Sequence, residues 1–495
     1  MASPISTGGE WSFELIERYD EALGRIARDE YGLDCYANQI EVIDSRQMLD
    51  AYASTGLPVH YPHWSFGKSF IAHEHAYRSG TQGLAYEIVI NSDPCIAYLM
   101  EENPMPLQAL VIAHACYGHN SFFKGNYLFR QWTAADAIVD YMVFARRYVG
   151  ECEERYGAEA VEEVLDACHA LMDHGVDRYR HPRPLSAQAE RARWRERQAW
   201  EQARHDELWR TLPQAPARQA DADARAPEPQ ENLLYFVEKH SPRLARWERE
   251  LVRIVRKVAQ YFYPQGLTRV MNEGWATFWH YTLLNRLYDH GLADDGFMIE
   301  CLESHTGVIA QRGFDERGYA GCNPYALGFA MFRDIRRICE CPDNEDRHWF
   351  PDIAGADWRR VLDFAMRNFK DESFIAQFLS PKLIREFRLF AIADREGEST
   401  LEVDCIHDEA GYRRVRTLLA AHYDRDVRVP DIQVTGFERD GDRSLALRHV
   451  RRRGRPLDDD AQRVLACLQR LWGFTVRLET VDADGVPCDE TMVAG

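Results

Sequence analysis

The hydrophobic period of this chain changes once, near Phe387, and that change constrains what each part can become. Upstream, apolar residues recur at helical spacing between charged ones, as in Trp11, Leu15, Ile16, Tyr19, Leu23 and Ile26. Similar patterns run around residues 40–53, 133–149, 151–174, 247–262, 297–310, 325–340 and 358–368. From Phe387 the period is two: EFRLFAIA, STLEVDCIH, VPDIQVTGF, RSLALRHV and GFTVRLETV alternate as half-buried strands do, with helical patterns at 409–423 and 459–472 between them. The order β-β-α-β-β-α-β predicts a small C-terminal α+β domain with an antiparallel sheet, behind a mainly α-helical N-terminal part.

At 495 residues the chain exceeds one small core, and domains of about 100–200 residues give two or three. The expected division is a helical core in two halves, 1–185 and 232–385, with the second half completing the site, and an α+β domain over 386–495. Residues 186–231 separate the halves: a charged stretch with Trp194, Trp200 and Trp209, then PQAPARQADADARAPEPQE, the composition of a variable, disordered insert. The formal charge of -19 is spread along the chain, which argues against nucleic acid or an anionic membrane as partner. The basic run HVRRRGR at 449–455 reads as a solvated strand end. The start, MASPISTGGEWSFE, lacks the basic and apolar segments of a signal peptide, and no run of about 18 apolar residues occurs. A cytoplasmic protein without membrane insertion is expected. Twelve cysteines are scattered without a CxxC pair, as reduced, buried thiols would be.

Two stretches carry candidate chemistry. Residues 110–126, LVIAHACYGHNSFFKGN, open after Asn103-Pro104 and Pro106, which favour a helix start, and place His114 and His119 five residues apart. Residues 271–281, MNEGWATFWHY, place Glu273 near a helix start and His280 seven residues on, on the same face. Imidazole and carboxylate are the donors of zinc and similar divalent transition-metal ions, and a catalytic site has three of them and an open position. In a regular α-helix positions i and i+5 stand about 140° apart, so His114 and His119 cannot chelate together. A one-turn π-bulge or a helix end would bring them together, and Gly118 is where the backbone can give. His280 is then a fourth ligand or a residue behind the ligands. The same residues are also accounted for by a helix end with two satisfied histidines and a first-turn glutamate favoured by the helix dipole.

Together with YEIVIN-x-DP at 86–94, these stretches resemble the stage V sporulation protein R family, from about residue 11 to 380 and on through the C-terminal domain. The resemblance implies a role in spore-cortex formation or stress physiology, with a serine protein kinase and a von Willebrand-type protein as partners. A more distant likeness, to gluzincin-type metallopeptidases, lies in the Gly-His pair, EGWA and the NPYALG helix start. It implies a zincin-like N-terminal domain acting on a peptide or amide substrate, with cell-wall material as a candidate. Carried over, His114, His119 and Glu273 become metal ligands and Tyr325 an oxyanion stabiliser. The departure is Ala115, which stands where the metallopeptidase motif has its glutamate base. Glu74, in His73-Glu74-His75, and Glu303 are the substitutes the sequence offers. A non-catalytic regulator working with the kinase is the alternative.

Overall fold

A computed structural model describes residues 3–53, 60–78, 87–177, 230–313, 316, 321–390, 392–393, 402–403, 408–424, 429–438, 441–452 and 456–495. The expected insert at 186–231 therefore lies outside the described residues, apart from 230 and 231. The contact pattern gives two units, Met1–Leu165 with Lys257–Val429, and Asp166–Arg256 with Pro430–Gly495. Among the described residues no helix is long and apolar enough to cross a membrane.

The first unit is mostly helical. Helix α1 (Phe13–Arg25) buries Ile16, Tyr19 and Leu23, the face its spacing predicts. The pattern at 40–53 divides instead into strand β1 (Asn38–Ile43) and a helix, Ser45–Ala53. Asp44 makes the break: its side chain accepts the Gln47 N–H at 2.7 Å, so the helix starts after it, and the alternating Ile40 and Val42 stay extended. Helix α2 (Trp64–Arg78) leads to β2 (Glu87–Ile90) and β3 (Cys95–Met100). These make a three-stranded sheet in the order β1-β3-β2, with β1 parallel and β2 antiparallel to β3.

The core is built on helices that have no solvent face. Helix α3 (Met105–Ile112), opened by Pro104 and Pro106, buries seven of its eight residues. A π turn over Ala113–His119 follows it, then α4 (Asn120–Gly125). Helix α5 (Arg269–Asp289) is buried from Val270 to Leu284 except at a few positions, and α6 (Asp295–Val308) and α7 (Pro324–Glu340) pack around the same cluster. Trp275, Phe278, Phe332 and Phe374 lie fully inside it. At about 1.5–3 kcal/mol for each large apolar side chain, packing rather than helix propensity holds these segments in place.

The start of α5 is finished from far downstream. Asp371, the first residue of α8 (Asp371–Phe378), is buried, and its carboxylate accepts the N–H groups of Val270 and Met271, each at 2.9 Å. These are orphan donors of the helix end. Asp371→Ala should lower stability by about 1–2 kcal/mol in urea unfolding. An unchanged midpoint would mean that water serves those donors equally well.

The C-terminal part corrects one expectation. Among the described residues, strands β4 (Ile392–Ala393) and β5 (Glu402–Val403) pair only with each other, and the main sheet runs β6 (Asp431–Phe437), β7 (Leu445–Val450), β8 (Val476–Val481), β9 (Pro487–Ala494) in that order. The sheet is mixed, not antiparallel, because β7 and β8 run parallel. Helix α9 (Ala461–Trp472) connects them, and a helical crossover returns the chain in the same direction where a hairpin would reverse it. Its apolar face, Leu465, Leu468, Leu471 and Trp472, is buried, and Gly473 ends it at φ 87°.

Candidate functional site

Four elements of the first unit bring His, Glu and Asn side chains to one place. The π turn does for His114 and His119 what a regular helix cannot: their ring centroids are 4.6 Å apart. Ser121, one turn on, donates its hydroxyl to the Tyr117 carbonyl at 2.6 Å, satisfying a carbonyl in the widened turn, and accepts the Trp275 indole N–H of α5 at 2.9 Å. Gly118 lets the two segments touch, since a Cβ there would stand 2.5 Å from the Ala276 Cα. Tyr117 donates to Asp20 of α1, and Asn120 ties the turn to Tyr36 and Asn38 at the edge of β1.

At this junction His114 Nε2 lies 3.9 Å and His119 Nε2 3.5 Å from Glu273 Oε2. Glu87, on β2, closes the cluster from the sheet, with Oε1 at 3.2 Å from His114 Nε2 and 4.0 Å from His119 Nε2. Glu87 Oε2, His114 Nε2 and Glu273 Oε2 are buried and have no hydrogen-bond partner. Orphan polar atoms are costly unless something unites them. A metal ion bonded to N and O at about 2.0–2.2 Å sets tetrahedral donor atoms about 3.3–3.6 Å apart, within the 3.2–4.0 Å range here. Two neutral imidazoles and two carboxylates also sum to the charge that a divalent cation cancels. The donor set and geometry fit such an ion. The histidines are nearly closed off, at 4% and 9% side-chain exposure, whereas the Glu87 and Glu273 side chains keep 17% and 19%, although the Oε2 atom of each is buried.

The histidines are aimed from behind. His119 Nδ1 meets Asn272 Oδ1 at 2.9 Å, and an amide oxygen only accepts, so the proton is on Nδ1 and the Nε2 lone pair faces the cluster. His114 Nδ1 meets His280 Nδ1 at 2.8 Å, and His280 Nε2 meets His305 Nδ1 of α6 at 2.8 Å. His280 thus spends both ring nitrogens on other imidazoles and stands behind the cluster. Tyr325, at the start of α7, stacks on His114 with centroids 6.3 Å apart. Of the two substitute bases, Glu303 is exposed on α6, and the Glu74 side chain, on α2, lies outside the described residues. Glu87 and His305 are the residues that sequence reasoning does not single out. The alternation of YEIVIN was the available signal for Glu87, which shares a strand face with Val89 and not with the buried Ile88 and Ile90.

Burial drives the electrostatics. It pushes the Glu87 carboxyl well above its ordinary range, with Glu273 adding to the shift. It drives His114 and His280 well below theirs, helped by the neighbouring imidazoles, and His305 down to about 4, helped by Arg333. Neutral imidazole is the metal-binding form. For Glu87 the folded pKa lies above the unfolded value of 4.5, so its contribution to stability is full below about pH 4.5 and lost as pH rises through the folded pKa. The imidazoles act oppositely, with stability full above about pH 6.5 and lost as pH falls. Metal-free Glu87→Gln should therefore melt above metal-free wild type at pH 8, with the gap closing toward pH 4.5. Equal melting at pH 8 would mean the carboxylate carries no such strain.

The family model described as SpoVR like protein matches residues 10–428, which include every residue of this cluster, and that described as SpoVR-like C-terminal domain matches residues 430–483. The chain belongs to the SpoVR family. It is 57% identical over 483 residues to YcgB of Escherichia coli (strain K12), covering 97% of this chain and 94% of that protein. No solved structure matches it. The boundary between the two SpoVR models, at 428 to 430, coincides with the Val429 to Pro430 division of the fold.

Proposed function

We propose that this SpoVR-family chain is a metal-dependent hydrolase of a peptide or amide bond, its ion held by His114, His119 and Glu273. Zinc, or another divalent transition metal that accepts two nitrogens and carboxylate oxygen, suits the donor set. The observation that carries the reading is the convergence of Glu87, His114 and His119, whose donor atoms lie within 4.8 Å of one another, with Glu273 Oε2 3.5 Å from His119 Nε2. A bound divalent ion supplies Lewis acidity, polarising the substrate carbonyl and lowering the pKa of water toward about 7. Glu87 takes the place that Ala115 leaves empty: its carboxylate, with Oε1 3.2 Å from His114 Nε2, accepts the proton of the attacking water and passes it to the leaving amine. Tyr325, stacked on His114, is the group to hydrogen-bond the developing oxyanion. This is a zincin-like chemistry on a helical scaffold, and a cytoplasmic peptide related to cell-wall or spore-cortex material is the substrate class it suits.

Ala115 also favours a second reading, a non-catalytic regulator that works with a serine protein kinase and a von Willebrand-type protein. One experiment separates them: zinc-loaded protein incubated with a peptide and muropeptide library, followed by mass spectrometry. A hydrolase releases new amines, and Glu87→Gln keeps its metal while losing about 100-fold or more of the rate. A metal-loaded protein that cleaves no amide, yet binds the kinase pair equally well with and without Glu87, sinks the hydrolase in favour of the regulator.

A further inference from the structure

We infer that His280 and His305 are positioning residues that fix the tautomer of His114 and so present its Nε2 lone pair to the cluster. The inference rests on the metal reading above. A neutral imidazole has one N–H and one lone pair. All three rings are buried, and each of the two links between them, 2.8 Å in both cases, holds a single proton. If His114 Nε2 is a lone pair, its proton sits on Nδ1 and is donated to His280 Nδ1. The His280 proton must then be on Nε2, donated to His305 Nδ1, and the His305 proton on its own Nε2. One choice at the cluster sets all three rings. The opposite polarity would place a proton on His114 Nε2 and block the ion.

The far end of the chain is anchored. His305 is clasped by Tyr281 and Phe329, each with ring centroids 4.9 Å away, so its ring cannot swing to abandon His280. The contrast with His119 is chemical: Asn272 Oδ1 can only accept, whereas the imidazoles behind His114 can run either way. His114 is the ligand whose readiness depends on residues two links away.

The test uses full-length protein. Zinc affinity by chelator competition should fall about 10–100-fold in His280→Leu and about 10-fold in His305→Leu. His305→Asn, whose Oδ1 replaces Nδ1 as an acceptor, should restore wild-type affinity. Circular dichroism checks that each variant is folded. Independently of any variant, nitrogen-15 histidine labelling of zinc-loaded wild type should show the proton on Nδ1 of His114 and on Nε2 of His280 and His305. Wild type that takes up no zinc overturns the metal reading and this inference together. Wild type that binds zinc, but with the His280 proton on Nδ1, or with His305→Asn as weak as His305→Leu, overturns this inference alone.

Discussion

Glu273→Gln, His114→Ala and His119→Ala should each reduce metal content from about one equivalent to background. Positioning partners one link behind a metal already cost about 10–100-fold in affinity, so removing a ligand should cost more than about 100-fold. Glutamine at 273 keeps the shape and removes the charge of the carboxylate ligand. Plasma mass spectrometry after dialysis, on untagged protein supplied with zinc, manganese, iron, cobalt or nickel, reads the result. Melting curves check that each variant is folded, since His114→Ala and His119→Ala also remove the hydrogen bonds to His280 and Asn272. Wild type that retains none of these metals would end the hydrolase proposal.

The second large effect lies where α5 meets α7. Gly274 and Gly328 face each other so closely that a Cβ on either would overlap the backbone of the other, and one on Gly328 would also strike the Val270 carbonyl. No side chain can yield there, so Gly328→Ala must separate the helices. We expect a loss of about 3 kcal/mol or more in chemical denaturation, at or beyond the upper end of ordinary overpacking. Metal affinity should fall as well, since α5 carries Glu273. Gly150 is the control: it sits inside the helix Ile138–Tyr156 with nothing within 4 Å of a built Cβ. Gly150→Ala should raise stability by about 0.5–1 kcal/mol. Equal effects at 150 and 328 would refute the close-approach account.

What the sequence discloses follows from the range of the interaction. A departure from the regular helix is legible because five-residue spacing contradicts one within a single segment, with Gly118 beside it; that the departure is a π turn and not a helix end is seen only in the fold. Glu87 is not legible, because alternation sets it opposite Ile88 and Ile90 without telling what that face meets, and its partners come from helices later in the chain. On α6 the residues that differ in fate are two apart: Glu303 is exposed and His305 buried, as positions about 200° apart on a helix must be. Charge draws attention to the first and packing selects the second. In the C-terminal sheet the α9 pattern is visible, yet it means parallel pairing only once β7 and β8 are known to be neighbours. At 40–53 the apolar spacing suits a helix throughout, and only the Asp44 cap divides it.

The carboxylate that completes α5 has a consequence for the order in which the protein is made. Asp371 follows Met271 by 100 residues. At a synthesis rate of about 5–20 residues per second, the segment bearing Glu273 leaves the ribosome about 5–20 s before the group that finishes its helix. During that interval His114, His119 and Glu273 have all been translated, but the scaffold that aligns them has not. Maturation of the cluster is a late event in the life of the nascent chain, and a fragment ending before residue 371 should carry its ligands without holding them in register.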